Sequence, residues 1–544
     1  MDWLRIVPLG GLGEIGMNCL ALESREGIVV IDCGVTFPRE ARGVDLIHPL
    51  FDYLEERADD VLGVVITHAH EDHVGAVPHL LKRVPVPVWA PPYALGLLRE
   101  RLKEHPDAPA VTFTATEPRR RFSLGRFEVE PLRVTHSIPD STALAIDTPG
   151  GRVLHTGDFK LEDGPLDHEA TDRERFEALG REGVALLLSD STNVDQPGWS
   201  GREEDVARSL EATIRSAAHR VVVGAFPSNT YRLQTLFRVA AMTRRKVCLL
   251  GRSVQNHARI ASELGRLGLR GELLVTPDRV ADVPRDQVLV VASGTQGEPQ
   301  GSISRLSLGE HPRLKLQSGD TVVFSSRAIP GNDRAIWDML CALERKGVDV
   351  RFWSVDPTLH VSGHAYREEQ RTMLQWVQPR SFIPVHGTYH HLTRHAHLAR
   401  EEGVGSVLVL ENGETAFLDS LGLSAGASGP VGRVHLDDGQ RVPDDVLRER
   451  SLLGETGVVT VSLRINKEGA LVGAPALAVR GVVVPDPVAT ENAATEAARV
   501  SARDTLASHG PALELLRDAV RRAVRRCYGR SHRRPLVVVS LTEG

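Results

Sequence analysis

Cysteine is scarce in this chain: five residues among 544 (Cys19, Cys33, Cys248, Cys341 and Cys527), far apart and nowhere arranged as C-x-x-C. An odd number without framework spacing excludes a disulfide-stapled scaffold and a Cys-rich zinc module, and predicts a reducing compartment. Aromatic residues make up only 5%. No apolar run reaches the roughly 18 residues of a membrane span. The opening MDWLRIVPLGG has neither a basic nor an apolar leader segment, so a cytoplasmic protein without a membrane partner is expected. An excess of positive charge is also missing, since 65 Lys and Arg against 71 Asp and Glu leave a formal net charge of −6. That excludes a polybasic protein held to nucleic acid by bulk charge, but leaves room for a local basic groove. Lysine supplies only seven of the 65 cations, which reads as genomic base composition. What remains is ordinary for a globular protein: 41% hydrophobic and 25% charged residues exclude global disorder. The length of 544 residues predicts three or four domains.

Within a first segment of 1–203, the first 160 residues are dense in short apolar runs such as LRIVPL, IVVIDCG, LGVVITHAH, FEVEPLRV and RVLHTGD, with a few helical patterns between them, such as 74–83 and 92–104. Many strands with few helices predict two stacked sheets with helices outside. Over 204–355, strands such as VVVGAF, KVCLLG and QVLVVASG alternate with helical stretches, the pattern of a parallel α/β unit. Short strands return over 356–449 (RSFIPVHG, SVLVLENGE), which ends in a Gly- and Pro-rich stretch, SAGASGPVG, read as a linker or surface loop. Residues 450–544 read as a small β-β-α-α-β domain, its second helix covering 511–526.

The chemistry concentrates in His68-Ala-His70-Glu-Asp72-His73, which follows the buried-strand pattern LGVVIT. Four donors within six residues at the mouth of a strand can face one point, and imidazole with carboxylate suits Zn²⁺ first and Mn²⁺ second. One such cluster cannot complete two metal sites. His136, Asp158 and His386 also stand at strand ends and are the candidates to complete them. Gly11-Leu-Gly13-Glu-Ile-Gly16 matches a dinucleotide fingerprint, but NCLALE alternates like a strand, so the glycines are expected to make a tight turn.

With Asp32 in VVIDCG, His136 in THSIPDS and Asp158 in HTGDFK, the HAHEDH motif resembles the metallo-β-lactamase fold. Asp190 in LLLSDSTN, His364 in LHVSGHA and His386 in FIPVHG are similar to three further motifs of the β-CASP nucleases. SGTQGEP (293–299), SSRAIPGN (325–332) and the tail narrow the resemblance to the bacterial ribonuclease J family, over essentially the whole chain. The sequence departs from the family pattern at Thr388 and Tyr389, where Glu is common, and neither is a candidate ligand.

The resemblance implies an αββα metallo-β-lactamase sandwich with an inserted β-CASP α/β domain and a small C-terminal α+β domain. It implies two divalent ions per subunit: His68, His70 and His136 would hold one and Asp72, His73 and His386 the other, with Asp158 bridging. Asp32 would hydrogen-bond a ligand and fix its orientation. The implied reaction is hydrolysis of single-stranded RNA by a two-metal hydroxide mechanism. His364 would donate a proton to the leaving 3′-oxygen or clamp the phosphate, and Asp190 would orient it, so that His364, Asp190 and Asp72 form the catalytic set. The implied activity is 5′-to-3′ exonucleolytic, preferring 5′-monophosphate ends, with added endonuclease activity in RNA maturation and mRNA decay. The implied assembly is a homodimer or homotetramer, together with partners from an RNA-degradation complex.

Such an exonuclease needs a pocket for the terminal phosphate. Ser228 and Asn229 open a helix, and Ser362 and Gly363 adjoin His364; together with His360 they are the expected substrate-binding residues. Arg119, Arg120 and Arg121, and the basic stretch 521–534, are weighed as phosphate tracks against the plainer reading of solvated charge. The alternative function is that of a small-molecule hydrolase of the same fold, a lactonase or thioesterase, which would lack the inserted domain. A non-catalytic RNA-binding role would require a missing ligand, and none is missing.

Overall fold

The computed structural model describes residues 2–38, 43–269, 271–329, 331–467, 469–510, 512–528 and 534–543. The chain forms two compact units, one of Met1–Phe37 with Ile47–Arg433, the other of Pro38–Leu46 with Val434–Gly544.

The first unit is built on two sheets. An eight-stranded sheet runs in the order Gly422–Ala425, Ala416–Asp419, Trp3–Gly10, Cys19–Ser24, Gly27–Ile31, Val61–Val65, Val88–Ala90, Phe113–Ala115. A seven-stranded sheet runs Ser406–Val407, Ser381–Val385, Leu186–Asp190, Gly151–His155, Thr142–Thr148, Phe127–Arg133, Phe122–Leu124. Alternating residues of both sheets, among them Leu4, Ile6, Val29 and Val65 facing Phe127, Leu144, Leu186 and Ile383, form one buried core. The opposite face of the second sheet is covered by the helices Arg173–Glu182, Arg367–Val377 and Tyr389–Glu401, through Phe176, Met373 and Leu398. This is the αββα sandwich.

The helical pattern at 74–83 resolves into two short helices, Glu71–Val74 and Val77–Leu81, and the one at 92–104 into Pro92–Leu102. The glycine-rich motif forms a turn, not a nucleotide loop: Gly11, Gly13 and Gly16 all have positive φ (89°, 85° and 91°), which only glycine adopts without strain. Leu12–Gly13 pairs with Gly387–Thr388, directly beside His386.

The insertion is a five-stranded, all-parallel sheet in the order Lys246–Leu250, Val288–Ala292, Val221–Gly224, Thr321–Phe324, Asp349–Phe352. Uninterrupted Val-rich runs suit strands buried on both faces.

In the second unit, Ala476–Arg480, Val458–Ile465 and Leu536–Glu543 form a sheet, with the helices Pro487–His509 and Leu513–Cys527 packed on one face through Ala498, Leu516 and Val520. The helix Asp444–Thr456, which the sequence reading did not anticipate, precedes them. Pro511, at which that reading began the last helix, lies outside the described residues, as do 529–533 of the basic stretch and Pro330 of SSRAIPGN. Among the described residues no helix is long and apolar enough to cross a membrane.

Candidate metal centre

Six loops carry the site, and each leaves the carboxyl end of a strand. Asp32 follows Gly27–Ile31, the HAHEDH loop follows Val61–Val65, and His136 follows Phe127–Arg133; Asp158 follows Gly151–His155, Asp190 ends Leu186–Asp190, and His386 follows Ser381–Val385. Parallel pairing of neighbouring strands puts these ends on one edge. Thr142 ties the two sheets there, donating through its N–H (3.0 Å) and its hydroxyl (2.9 Å) to the Thr67 carbonyl.

Two donor sets converge at that edge and share one carboxylate. His68, His70, His136 and Asp158 form the first; Asp72, His73, Asp158 and His386 form the second. In the first, His70 Nδ1 lies 3.1 Å from His68 Nε2 and 3.0 Å from His136 Nε2. In the second, Asp158 Oδ2 is 3.1 Å from His73 Nε2, and Asp158 Oδ1 is 2.7 Å from His386 Nδ1. Asp190, His364 and His386 join Asp158 in a third group.

Surrounding hydrogen bonds set the tautomers. His73 Nδ1 donates to Asp32 Oδ2 at 2.7 Å and His136 Nδ1 donates to the Gly363 carbonyl at 2.6 Å, so each Nε2 keeps its lone pair for the cluster. Thr67 gives Asp32 its N–H and its hydroxyl, both at 2.8 Å, and its oxygen accepts from His68 Nδ1 at 3.0 Å. Asp32 therefore orients two of the candidate donors, His73 directly and His68 through Thr67.

Burial, with neighbouring imidazoles second, holds His68 and His136 well below the ordinary histidine range, and burial, against the pull of Asp72 and Asp158, holds His70 at about 4. Burial also opposes the charged form of His386, yet Asp158, Asp72 and Asp190 outweigh it and lift it to about 10. His73 is raised against its burial by Asp158, Asp32 and Asp72. Asp158 resists its own burial through His386, His73 and His364 and stays well below the carboxylate range. The first set is thus neutral imidazole around Asp158, whereas His73 and His386 favour the protonated form beside their carboxylates. His386 Nε2 is buried without a well-formed hydrogen bond, 3.4 Å from Asp72 Oδ2. A buried ring nitrogen facing a carboxylate in this way fits a divalent cation.

His364 Nδ1 lies 2.8 Å from Asp190 Oδ2 and 3.9 Å from Asp158 Oδ2. Asp190 is held in turn by the N–H and hydroxyl of Thr192, at 2.9 and 2.6 Å.

The expected phosphate pocket is only partly assembled. Ser362 does not begin a helix: the next one is Arg367–Val377, capped at Tyr366, and Ser362 Oγ instead accepts from the His364 N–H (3.0 Å) and Asn193 Nδ2 (2.8 Å). Gly363 must be glycine, since a Cβ there would lie 2.7 Å from Ser137 Oγ and 2.9 Å from His136 Cε1. Asn229 caps the helix Thr230–Met242 by accepting from the Arg232 N–H at 2.9 Å and donates to Glu203 at 3.3 Å, leaving Ser228 as the freer side chain of that pair. His360 is held neutral, at about 3, first by burial and then by Arg232 and Arg327.

Arg119, Arg120 and Arg121 are not a free cationic track. Each is paired, with Asp172, Glu117 and Glu130 respectively. Arg521 is likewise paired with Asp518.

Sequence reasoning missed Thr67, Asn193 and a buried hub at Arg232. Its guanidinium meets Glu203 at 3.1 Å, the Ser325 carbonyl at 2.9 Å and the Leu359 carbonyl at 3.4 Å. Arg232 sits on an amphipathic helix like any other Arg, so no local signal marked it.

Four family models match successive parts of the chain: "Metallo-beta-lactamase superfamily" over 12–190, "Ribonuclease J, beta-CASP domain" over 218–343, "Zn-dependent metallo-hydrolase RNA specificity domain" over 347–409 and "Ribonuclease J C-terminal domain" over 445–544. Ribonuclease J of Mycolicibacterium smegmatis is 37% identical over 99% of this chain and 97% of its own length. The chain belongs to the ribonuclease J family. Ribonuclease J of Helicobacter pylori is 36% identical over 85% of this chain and 68% of its own length. A solved structure, a protein of unknown function from Enterococcus faecalis, shares the fold at a TM-score of 0.54 and 17% identity, covering 76% of this chain and all of that one. Membership of the ribonuclease J family makes this a hydrolytic, metal-dependent ribonuclease with a metallo-β-lactamase domain, a β-CASP insertion and a C-terminal domain. The small-molecule hydrolase alternative is set aside by the same findings.

Proposed function

We propose that this ribonuclease is a 5′-to-3′ exonuclease that prefers 5′-monophosphorylated RNA and also cleaves internally, acting in RNA maturation and mRNA decay. The observation that carries the reading is the pair of donor sets joined at Asp158, with His364 held beside it by Asp190. Two divalent ions held there, Zn²⁺ first and Mn²⁺ second, supply a nucleophile from water near neutral pH and stabilise charge at phosphorus. His68, His70 and His136 would hold one ion and Asp72, His73 and His386 the other, with Asp158 common to both sets. The chain's own contribution is orientation and proton transfer. Asp32 and Thr67 fix the rings of His73 and His68, and the Gly363 carbonyl fixes His136. His364 has its Nδ1 engaged by Asp190, which leaves Nε2 to donate a proton to the departing 3′-oxygen. The product then carries a 5′-phosphate. Ser228, Asn229, His360, Ser362 and Gly363 remain the residues we assign to the terminal phosphate, Asn229 and Ser362 through the turns they hold and Ser228 through its freer hydroxyl. We assign 1–203 and 356–449 to the lactamase core, 204–355 to the insertion and 450–544 to a tail that serves assembly into a dimer or tetramer.

The test is time-resolved digestion of 5′-labelled RNA bearing a mono- or triphosphate, beside a circular RNA, with Mn²⁺ or Zn²⁺ restored after chelation. Stepwise release of mononucleotides from the monophosphate substrate, with slower cleavage of the circle, is expected. Equal rates on mono- and triphosphate ends would sink the end preference, and an intact circle would sink the internal activity.

A further inference from the structure

Two sequence motifs, SGTQGEP and SSRAIPGN, take no part in the metal centre. In the fold they follow the strands Val288–Ala292 and Thr321–Phe324, at the carboxyl edge of the insertion's parallel sheet, where open α/β sheets place their ligand crevices. Gln296 locks one motif to the other. It donates to the Arg327 carbonyl at 3.0 Å, and its own oxygen accepts from the Ile329 N–H at 2.8 Å and from Asn332 at 3.4 Å. Side chains from both motifs, Thr295 and Ser326, line a cleft with Phe352 and Trp353.

The loop so braced presents Arg327. Its guanidinium carbon lies 5.6 Å from the centre of the Trp353 ring. Among the described residues Arg327 forms no ion pair, and its side-chain N–H groups donate no hydrogen bond to protein. A guanidinium resting on an indole is oriented by that contact while its edge donors stay free for a planar, bidentate anion. Trp353 is steadied through its neighbour Phe352, which Trp337 meets edge-on at 5.7 Å.

The same loop is tied to the catalytic segment. Ser325 Oγ donates to the Leu359 carbonyl at 2.7 Å, and Arg232 clamps both Ser325 and Leu359. The chain runs from Leu359 directly through Ser362 to His364. The loop that carries Arg327 is thus held to the segment that leads to His364.

We propose that Arg327, stacked on Trp353, is a binding site for a phosphodiester of the RNA strand away from the scissile bond. The proposal rests on the ribonuclease reading above. The matched RNA specificity domain, 347–409, includes Trp353 as well as His364 and His386, which favours RNA over an acidic protein segment as the occupant. Arg327 grips without touching the reacting atoms, so it sets affinity and leaves the chemical step alone.

The experiment is single-turnover cleavage of a 5′-monophosphorylated single-stranded RNA by the metal-loaded full chain, with the half-saturating concentration followed against salt. For Arg327→Gln that concentration rises about tenfold to a hundredfold. The slope of log affinity against log salt falls in magnitude by about 0.7, the value of one phosphate contact on a single strand. The saturating rate is unchanged. Arg327→Lys restores the slope but not the full affinity, because a point charge replaces the fork. Trp353→Leu weakens affinity with the slope kept. Wild-type affinity and slope in Arg327→Gln would overturn the site. So would a fall in saturating rate with an unchanged slope, which would place Arg327 in the fold or the catalytic centre. If RNA competes equally with an acidic peptide for wild type but not for Arg327→Gln, the occupant is protein and the RNA assignment fails. A wild-type enzyme that cleaves no RNA overturns the ribonuclease reading itself, a result separate from any variant.

Discussion

Asp158 stands in every donor group of the centre, and no other side chain there reaches both halves. Asp158→Ala should therefore leave fewer than two metals per chain and bring RNA hydrolysis to background; elemental analysis beside an activity assay decides it, and a full metal complement would refute the bridging role. Asp32 touches no donor group's centre yet orients His73 and, through Thr67, His68. Asp32→Ala is expected to weaken metal affinity about 10–100-fold, read by chelator competition, with the fold retained. The convergence of the candidate donors was legible in sequence because each sits at a strand end, where a short apolar run followed by His or Asp is a local signal. The roles of Asp190 and His364 came through family resemblance, since spacing alone does not show that they meet. Thr67, Asn193 and Arg232 were illegible, because their partners lie far along the chain. Ser362 and Asn229 misled in part: Ser and Asn that hold a backbone turn look the same in sequence as Ser and Asn that hold a phosphate.

At the scale of elements, the helices Pro92–Leu102 of the core and Arg252–Glu263 of the insertion are clasped by polar contacts. Tyr93 O–H donates to His257 Nδ1 at 2.9 Å, and Arg259 pairs with Glu100 at 2.9 Å. Burial, with His70 and Arg101 adding to it, pushes His257 down to about 3, so the folded protein keeps it neutral where an unfolded chain takes up a proton. The unfolded state then binds more protons between pH of about 6.5 and 3, and stability present above that window is lost as pH falls through it. His257→Gln should make that loss shallower, by about 1 kcal/mol between pH 7 and 5.5. Denaturant midpoints taken in chelator at both values test this, and parallel curves would remove His257 from the account. Tyr93→Phe should cost about 1 kcal/mol at pH 7. The insertion's strands were easy to read as continuous Val-rich runs, whereas the split of 74–83 into two helices was not. Gly75 and Pro78 are breaking residues that the reading passed over, and the HAHEDH backbone turns inward there, the Ala76 N–H donating to the Cys33 carbonyl at 2.9 Å.

At the scale of the whole molecule, the second unit carries none of the candidate ligands. A chain ending at Arg433 should keep its metals while changing its mass in solution by light scattering; an unchanged assembly state would exclude the tail as the assembly element. The three-part architecture was legible from the change of strand and helix rhythm. The grouping of 38–46 with the tail was not, because it depends on contacts such as the Asp45 N–H donating to the Leu436 carbonyl at 2.8 Å. The strand Trp3–Gly10 lies between Cys19–Ser24 and Ala416–Asp419, and His386 reaches the pocket only after the insertion has been traversed. On a ribosome adding about 5–20 residues per second, the donor set stays incomplete for on the order of 20–80 s after initiation. By residue 158 the nascent chain holds six of the seven candidate donors, the first set entire, and for the rest of that interval it waits only for His386 to close the second set.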